Sequence, residues 1–414
     1  MDLTLSADQH LLADTAAAFV AAECPPERVR SLEATADGHD PKLWAAMAEL
    51  EWCALALPAE HGGFDRGLLE VAVLADQLGR GPLPSPLLTS TTLAAVPIAR
   101  AGSAGQRARF LPDLASGRRI GTLALVEPAM SNLWQPVAME GGTRLSGTKL
   151  VVPWAGVADL MVVATTDGPL LVEPARGGVR VERHDAFAGD PLYAVTFDRA
   201  AAEPLGGPAQ PAENDVPLRA LEEAAIAQLA YAVGAAERCL DLALRHASER
   251  EQFGRPIGAF QAVAHRCVEM RADIDACRYL AYEAAWALDG ESDATLPVAA
   301  ALTFAADAVR RVFLHAHQVH GAIGFSTEHD LHLLTRRLKE FEVTYASAPR
   351  HRDALALSAL NYGHQRITMR RGDHNGADAA GNGVFNDVDL AVHISLIRRP
   401  FPINRHAGFL PGSL

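Results

Sequence analysis

A surplus of basic residues is the first thing this chain lacks. Of its 414 residues, 37 are Lys or Arg and 50 are Asp or Glu, giving a formal net charge of −13. Nucleic-acid surfaces need a basic stripe, so this balance argues against one, although a single local arginine can still hold a small anion. Cysteine is scarce as well. The five, Cys24, Cys53, Cys239, Cys267 and Cys277, are odd in number, and none forms a Cys-x-x-Cys pair. That excludes the common metal and redox spacings and predicts reduced core thiols in a cytoplasmic protein. No run of about 18 apolar residues occurs, which predicts no membrane span. Met1-Asp2-Leu3-Thr4 has no basic flank followed by an apolar run, which predicts no signal peptide. A Gly-x-Ser-x-Gly hydrolase elbow is absent, and no internal repeat has a solenoid period. What remains is 49% hydrophobic and 21% charged, the profile of a globular chain long enough for two or three domains.

Taken in order, residues 1–118 read as a helical domain. Ser6 or Asp8 can cap a first helix with Leu12, Ala16, Phe19 and Val20 inward. Further helices are expected from Asp40, from Leu68 to Gly79, and from Thr91 to Ala101. Residues 119–216 change period. Thr122–Val126, Arg144–Val152 with a tight Ser146-Gly147 turn, Asp159–Thr165, Leu170–Glu173, Gly178–Arg183 and Tyr193–Phe197 read as short strands. They predict a small antiparallel barrel or sandwich. Residues 217–358 return to helix. Val263, Cys267, Met270, Ile274, Cys277, Ala281, Ala284 and Leu288 alternate steps of four and three, the seam of a helix packed nearly antiparallel in a bundle. Residues 359–414 are an atypical tail with no functional reading. Val388–Ile397 could form one strand, and the Gly376–Gly383 run is a poor phosphate loop without a strand before it.

The stretch Arg250-Glu251-Gln252-Phe253-Gly254-Arg255-Pro256-Ile257-Gly258-Ala259-Phe260-Gln261 joins two long helical patterns. Gly254 and Pro256 make a rigid turn beside Arg250, where a fixed guanidinium suits a bidentate phosphate grip. The plainer alternative is an arginine meeting a helix C-terminus and a surface carboxylate. A second motif, Gln318-Val319-His320-Gly321-Ala322-Ile323-Gly324-Phe325, puts two glycines after a helix. It reads either as amides facing a ligand or as a glycine C-cap.

Together these features resemble the acyl-CoA dehydrogenase family over residues 3 to 358. The resemblance rests on Arg-x-Gln-Phe-Gly at 250–254, Gln-x-His-Gly-x-x-Gly-Phe at 318–325, Leu57-Pro58 with Gly62-Gly63, Glu127-Pro128, and Leu145-Ser146-Gly147-Thr148-Lys149 in family order. It implies an α+β, mainly α fold: an N-terminal helical domain, a central antiparallel β-barrel domain and a C-terminal four-helix bundle. It also implies FAD as cofactor, an acyl-CoA substrate, an electron-transfer flavoprotein as acceptor, and a tetramer in which FAD lies across a subunit contact. By this resemblance Arg250 would bind the FAD diphosphate of a neighbouring subunit beside Gln252 and Phe253. Phe260 and Gln261 would flank the adenosine, and Gln318 and Gly321 would meet the ADP portion.

The chain departs from the family where chemistry is expected. One family position for the catalytic base falls in Thr344-Tyr345-Ala346-Ser347, which has no carboxylate. The other falls at Ala224, next to Glu222 and Glu223. Glu223 is the candidate base, but one residue turns a helix by about 100°, and a helix-end carboxylate is the simpler account. The flavin-facing stretches Val126-Glu127-Pro128-Ala129-Met130-Ser131-Asn132 and Val151-Val152-Pro153-Trp154 lack the family's hydroxyls. This asymmetry predicts pairing with a related, different subunit, as in heteromeric members acting on bulky CoA thioesters such as steroid side chains. Three functions follow: α,β-dehydrogenation of an acyl-CoA as one subunit of an oligomer, a catalytically silent partner completing a paralogue's FAD site, or a flavin-dependent oxygenase on the same scaffold. His329 and His332 have no third ligand at suitable spacing, so no metal site is expected, and His315, His317 and His320 read as helix-end polar residues.

Overall fold

The computed structural model describes residues 4–127, 138–140, 144–207, 211–213, 215–290, 293–346, 349 and 351–357. All belong to one compact unit, Met1–Ala359. The Gly376–Gly383 run, the Val388–Ile397 strand candidate and the rest of the tail lie outside the described residues.

The chain opens with α1 (Ala7–Glu23), α2 (Pro26–Glu33) and α3 (Pro41–Glu49). Ser6 caps α1 reciprocally: its Oγ accepts from the Gln9 amide, and Gln9 Oε1 accepts from the Ser6 amide. Asp40 caps α3 through Lys42 and Leu43. Helix α2 is an element the sequence reading did not anticipate. α4 spans Leu68–Gly79, and a π-helical segment, Thr89–Ala95, runs into α5 (Val96–Ala101). Pro97 has no amide hydrogen to return to the preceding turn, and the Val96 amide reaches back to Thr91 O, the wider π spacing. α6 (Ala104–Ala115) closes the helical start.

Seven strands follow: β1 (Gly121–Ala124), β2 (Ala138–Glu140), β3 (Arg144–Pro153), β4 (Leu160–Val163), β5 (Leu170–Val172), β6 (Val179–His184) and β7 (Leu192–Pro204). Their order is β1-β4-β5-β7-β3-β2, with β6 also on β7. The pairs are antiparallel apart from β1 with β4, which is parallel. β4 is apolar at every position because both faces are covered. Leu160 and Val162 join a core with Phe110 and Leu114 of α6, while Met161 and Val163 join one with Val195 and Phe197 of β7. The expected turn at Ser146-Gly147 is not a turn. β3 runs through it, and the pairing with β7 slips between Leu145 and Gly147, where Gly147 takes φ 144°.

The third part is built on α7 (Val216–Glu249), α8 (Gln261–Asp289), α9 (Thr295–His320) and α10 (Leu331–Phe341), with a small hairpin β8 (Glu251–Gln252) and β9 (Arg255–Pro256) between α7 and α8. The seam read on α8 is inward from Cys267 to Leu288, against Ile226, Leu229, Val233 and Leu240 of α7. All five cysteines are buried and unpaired, as reduced core residues should be. α7 crosses α4 closely at Gly234. A Cβ there would stand 1.8 Å from the Asp76 carbonyl oxygen, with no flexible side chain to give way. Gly234→Ala is therefore expected to cost about 2–3 kcal/mol or more, read as a lower denaturation midpoint with an unchanged denaturant slope.

Candidate functional site

Helix α7 ends at Glu249, and Arg250 is its cap, with its amide donating to His246 O at 2.9 Å. The chain then reverses in two residues. Gln252 pairs with Arg255, and between them Phe253 and Gly254 have φ 56° and 80°. Such a two-residue hairpin needs left-handed backbone at both positions, which glycine meets without strain and phenylalanine does not. Phe253 is also 92% exposed. Its one aromatic contact among the described residues is the edge of Phe260, 6.0 Å between centroids, and Phe260 in turn lies under the Arg255 guanidinium at 4.1 Å. Arg250 is exposed and makes no ion pair among the described residues. Gln252 folds back, donating to Glu251 O at 2.7 Å, and Gln261 is the exposed first residue of α8.

The second motif ends α9. Gln318 is exposed, and Gly321 is the C-cap, with φ 64° and ψ −141°. A Cβ added at Gly321 would meet nothing within 4 Å, so its backbone is open to a ligand. The two helix ends are joined by imidazoles. His246, in the last turn of α7, stacks on His320, in the last turn of α9, with centroids 4.9 Å apart. His329 meets His320 edge-on at 4.8 Å, and His317 stacks on Phe325 at 4.5 Å. Among the described residues no group of three or more His, Cys, Asp or Glu side chains could hold a metal ion. Sequence reading placed His317 and His320 at a helix end but did not connect them to His246.

The region of the base is apolar. Ala224 lies in the core shared by Ala220, Leu57, Leu123 and Leu160, and Tyr345 packs against that same cluster. These are the two positions the resemblance marks for a base; one belongs to this cluster, the other packs against it, and neither is a carboxylate. Glu223 is 2% exposed and lines a cavity of about 280 Å³ with Leu57, Thr91, Thr92, Val96 and Asp289. It is ion-paired with Arg100 and with Arg219, the latter at 3.5 Å. Both guanidiniums come from outside the apolar cluster, so the carboxylate is held by charge partners. Sequence reading had no access to Arg100, which reaches Glu223 from α5.

On the sheet side, Lys149 of β3 is wholly buried, and its Nζ donates to Glu127 Oε1 at 2.7 Å and to Leu125 O at 3.2 Å. Burial pushes the lysine below its ordinary value, and the Glu127 carboxylate pulls it partly back. After Lys149, Val151 and Trp154 both take left-handed backbone, and Trp154 is buried. Residues 128–132 of the other flavin-facing stretch lie outside the described residues.

The family description "Acyl-CoA dehydrogenase, N-terminal domain" matches residues 6–118, and "Acyl-CoA dehydrogenase, C-terminal domain" matches residues 215–345. The chain belongs to the acyl-CoA dehydrogenase family. It is 31% identical to the acyl-CoA dehydrogenase IpdE2 of Mycolicibacterium smegmatis, over 80% of this chain and 93% of that protein. Among solved structures it resembles the ChsE4-ChsE5 complex from Mycobacterium tuberculosis, at TM-score 0.76 and 28% identity over 91% of this chain and 100% of that one. It also resembles a variant of the Tcur3481-Tcur3483 steroid ACAD, at TM-score 0.77 and 31% identity over 86% and 100%. Acyl-CoA dehydrogenases are FAD flavoproteins, and the fold matches theirs in its helical ends and its central sheet.

Proposed function

We propose that this chain is one subunit of a heteromeric FAD-dependent acyl-CoA dehydrogenase, and that a related subunit supplies the catalytic base. The observation that carries this reading is the base region: Ala224 and Tyr345 share an apolar cluster, and the only carboxylate beside them in sequence on α7 that was a candidate, Glu223, is tied to Arg100 and Arg219. The two-component names of the structures it resembles point the same way.

The adenosine-side residues fit FAD. Arg250 offers an exposed guanidinium with no ion pair among the described residues, the fork that matches a diphosphate. Gly321 offers open backbone, and Gln318 and Gln261 offer exposed amides nearby in sequence. Phe253 presents an apolar face for the partner or the adenine. When bound, FAD accepts the Cβ hydride of an acyl thioester whose Cα proton goes to a carboxylate base. This chain's share is to hold the diphosphate and adenosine in place and to cover the partner's flavin. An apolar groove of about 590 Å³ beside the hairpin, with Leu244 and Val268 exposed on its walls, suits coverage by a related subunit. The α8 stripe continues it, with Val268, Tyr279 and Trp286 on one face. The word steroid in the name of one structure it resembles supports a ring-bearing acyl-CoA.

Co-expression with a related subunit from the same genome tests this. The complex should be yellow and should bleach anaerobically with an acyl-CoA, while the chain alone should be colourless and inactive. In the complex, Glu223→Gln should leave the turnover number within about twofold, whereas loss of a true general base lowers it about a hundredfold or more. Full flavin loading and activity from the chain alone, or a hundredfold loss in Glu223→Gln, would sink the reading.

A further inference from the structure

Two helices, α7 and α9, end where the diphosphate is placed by the reading above, and this inference rests on that reading. A helix C-terminus carries about half a negative charge, so two of them repel a dianion. Arg250 offsets part of this. The remaining candidates are the imidazoles of the same last turns, His246, His317 and His320.

Their hydrogen bonds say where a proton can go. His320 Nδ1 lies 2.7 Å from Ala316 O, and a carbonyl only accepts, so Nδ1 carries the hydrogen. Nε2 of His320 is then a bare acceptor, and it is buried with no hydrogen-bond partner among the described residues. His317 Nε2 is 3.1 Å from Thr335 Oγ1, and its Nδ1 is likewise buried and unpartnered. His246 stacks on His320 from α7, and His329 meets it from the segment before α10. The other charged groups around them are Glu249 and Arg250 on α7, and Asp330, His332 and Arg30 near His329, where Arg30 pairs with Asp330 at 2.6 Å. Burial, with nearby positive charge, holds all four rings below the ordinary histidine value, so they are neutral near pH 7. An anion seated nearby reverses the balance and favours the protonated form.

We propose that the His246, His317, His320 and His329 cluster is the proton-binding half of the FAD diphosphate cradle, taking up about one proton as the diphosphate seats on Arg250 and Gly321. One proton is the expected number because stacked rings cannot both carry charge cheaply. The proton goes to a free ring nitrogen and comes from solvent, and the diphosphate diester has no group that titrates in this range. The sign follows directly. The bound form holds more protons than the free form, so FAD binds more tightly as pH falls between the cluster's values in the two states.

The test is calorimetric titration of FAD into the deflavinated oligomer at about pH 6.5, the ordinary histidine value, in two buffers of different ionisation enthalpy. The wild type should take up between about half a proton and one, and its affinity should rise up to about tenfold per pH unit on acidification. His246→Phe keeps the aromatic stack without a titrating nitrogen, and His246→Phe with His320→Phe removes both stacked rings' protons. Uptake should fall in the single variant, fall further in the double, and nearly vanish when His317→Phe and His329→Phe are added. Arg250→Ala serves as the separate control on the cradle itself. Arg250-dependent FAD binding with no proton uptake, or uptake unchanged in His246→Phe, overturns the inference while leaving the cofactor assignment standing. FAD binding indifferent to Arg250→Ala overturns both.

Discussion

Arg250→Ala should strip the yellow colour from the assembled oligomer. The guanidinium is exposed, unpaired among the described residues, and anchored by a backbone that turns sharply on either side. In the free protein it therefore contributes little, and its removal should change stability by no more than about 0.5 kcal/mol. In the proposed role it would supply two parallel charge-assisted hydrogen bonds to the diphosphate, and truncating such a partner costs about 3 kcal/mol, more than a hundredfold in affinity. The separation of these two effects makes the experiment clean, because an unfolded variant cannot be mistaken for an empty one. Arg250→Lys should fall between, since a point charge remains but the planar fork is lost. Flavin absorbance after gel filtration reads the result, and retention of FAD by Arg250→Ala would end the proposed role.

The same contrast between local and distant causes explains how much could be read from the sequence. The α8 seam was legible because a period of 3.5 residues leaves its mark within the helix itself, and each of Cys267, Met270, Ile274 and Cys277 is buried as the spacing demands. The sharp turn at Phe253-Gly254 was legible from Gly254, but the left-handed phenylalanine was not, since no local rule asks for it. Helix α2 was missed because only Val29 and Leu32 of its eight residues are buried, too few to show a period. The Ser146-Gly147 pair was read as a turn when its glycine serves a bulge, and only the partner strand β7 distinguishes the two. In the site, the motifs at 250–254 and 318–325 were visible one by one. Their junction through His246 and His320 was not, because 74 residues separate rings that stack only once α7 and α9 are packed. Arg100 is a sharper case. Glu223 was a candidate base beside the simpler helix-end account, and the guanidinium that pairs with it comes from 123 positions earlier in the chain.

The largest loss of stability is expected from Glu127→Ala. Lys149 points from β3 into the sheet core, where it is fully buried, and Glu127 is its only carboxylate partner among the described residues. Removing that partner leaves an ammonium with one carbonyl, Leu125 O, for company. Breaking a buried pair from one side costs about 3–5 kcal/mol. The lysine can escape part of this by shedding its proton, which gives the variant a pH signature. Its folded-state value is already depressed by burial and would fall further without Glu127, so the unfolded chain binds the extra proton. Stability of Glu127→Ala should then climb as pH rises from neutrality toward the ordinary lysine value of about 10.4. Replacing both partners with apolar residues, Lys149→Met with Glu127→Leu, should recover most of the loss, because no charge is then buried alone. Denaturation of the three proteins at two pH values makes the comparison. A Glu127→Ala variant within about 1 kcal/mol of the wild type at neutral pH would show that the pair is not holding a buried charge. The pair ties Glu127 to β3. The double replacement should therefore restore the fold without any change in the adenosine-side grip, since Arg250 and Gly321 sit on helices α7 and α9 and owe nothing to this strand.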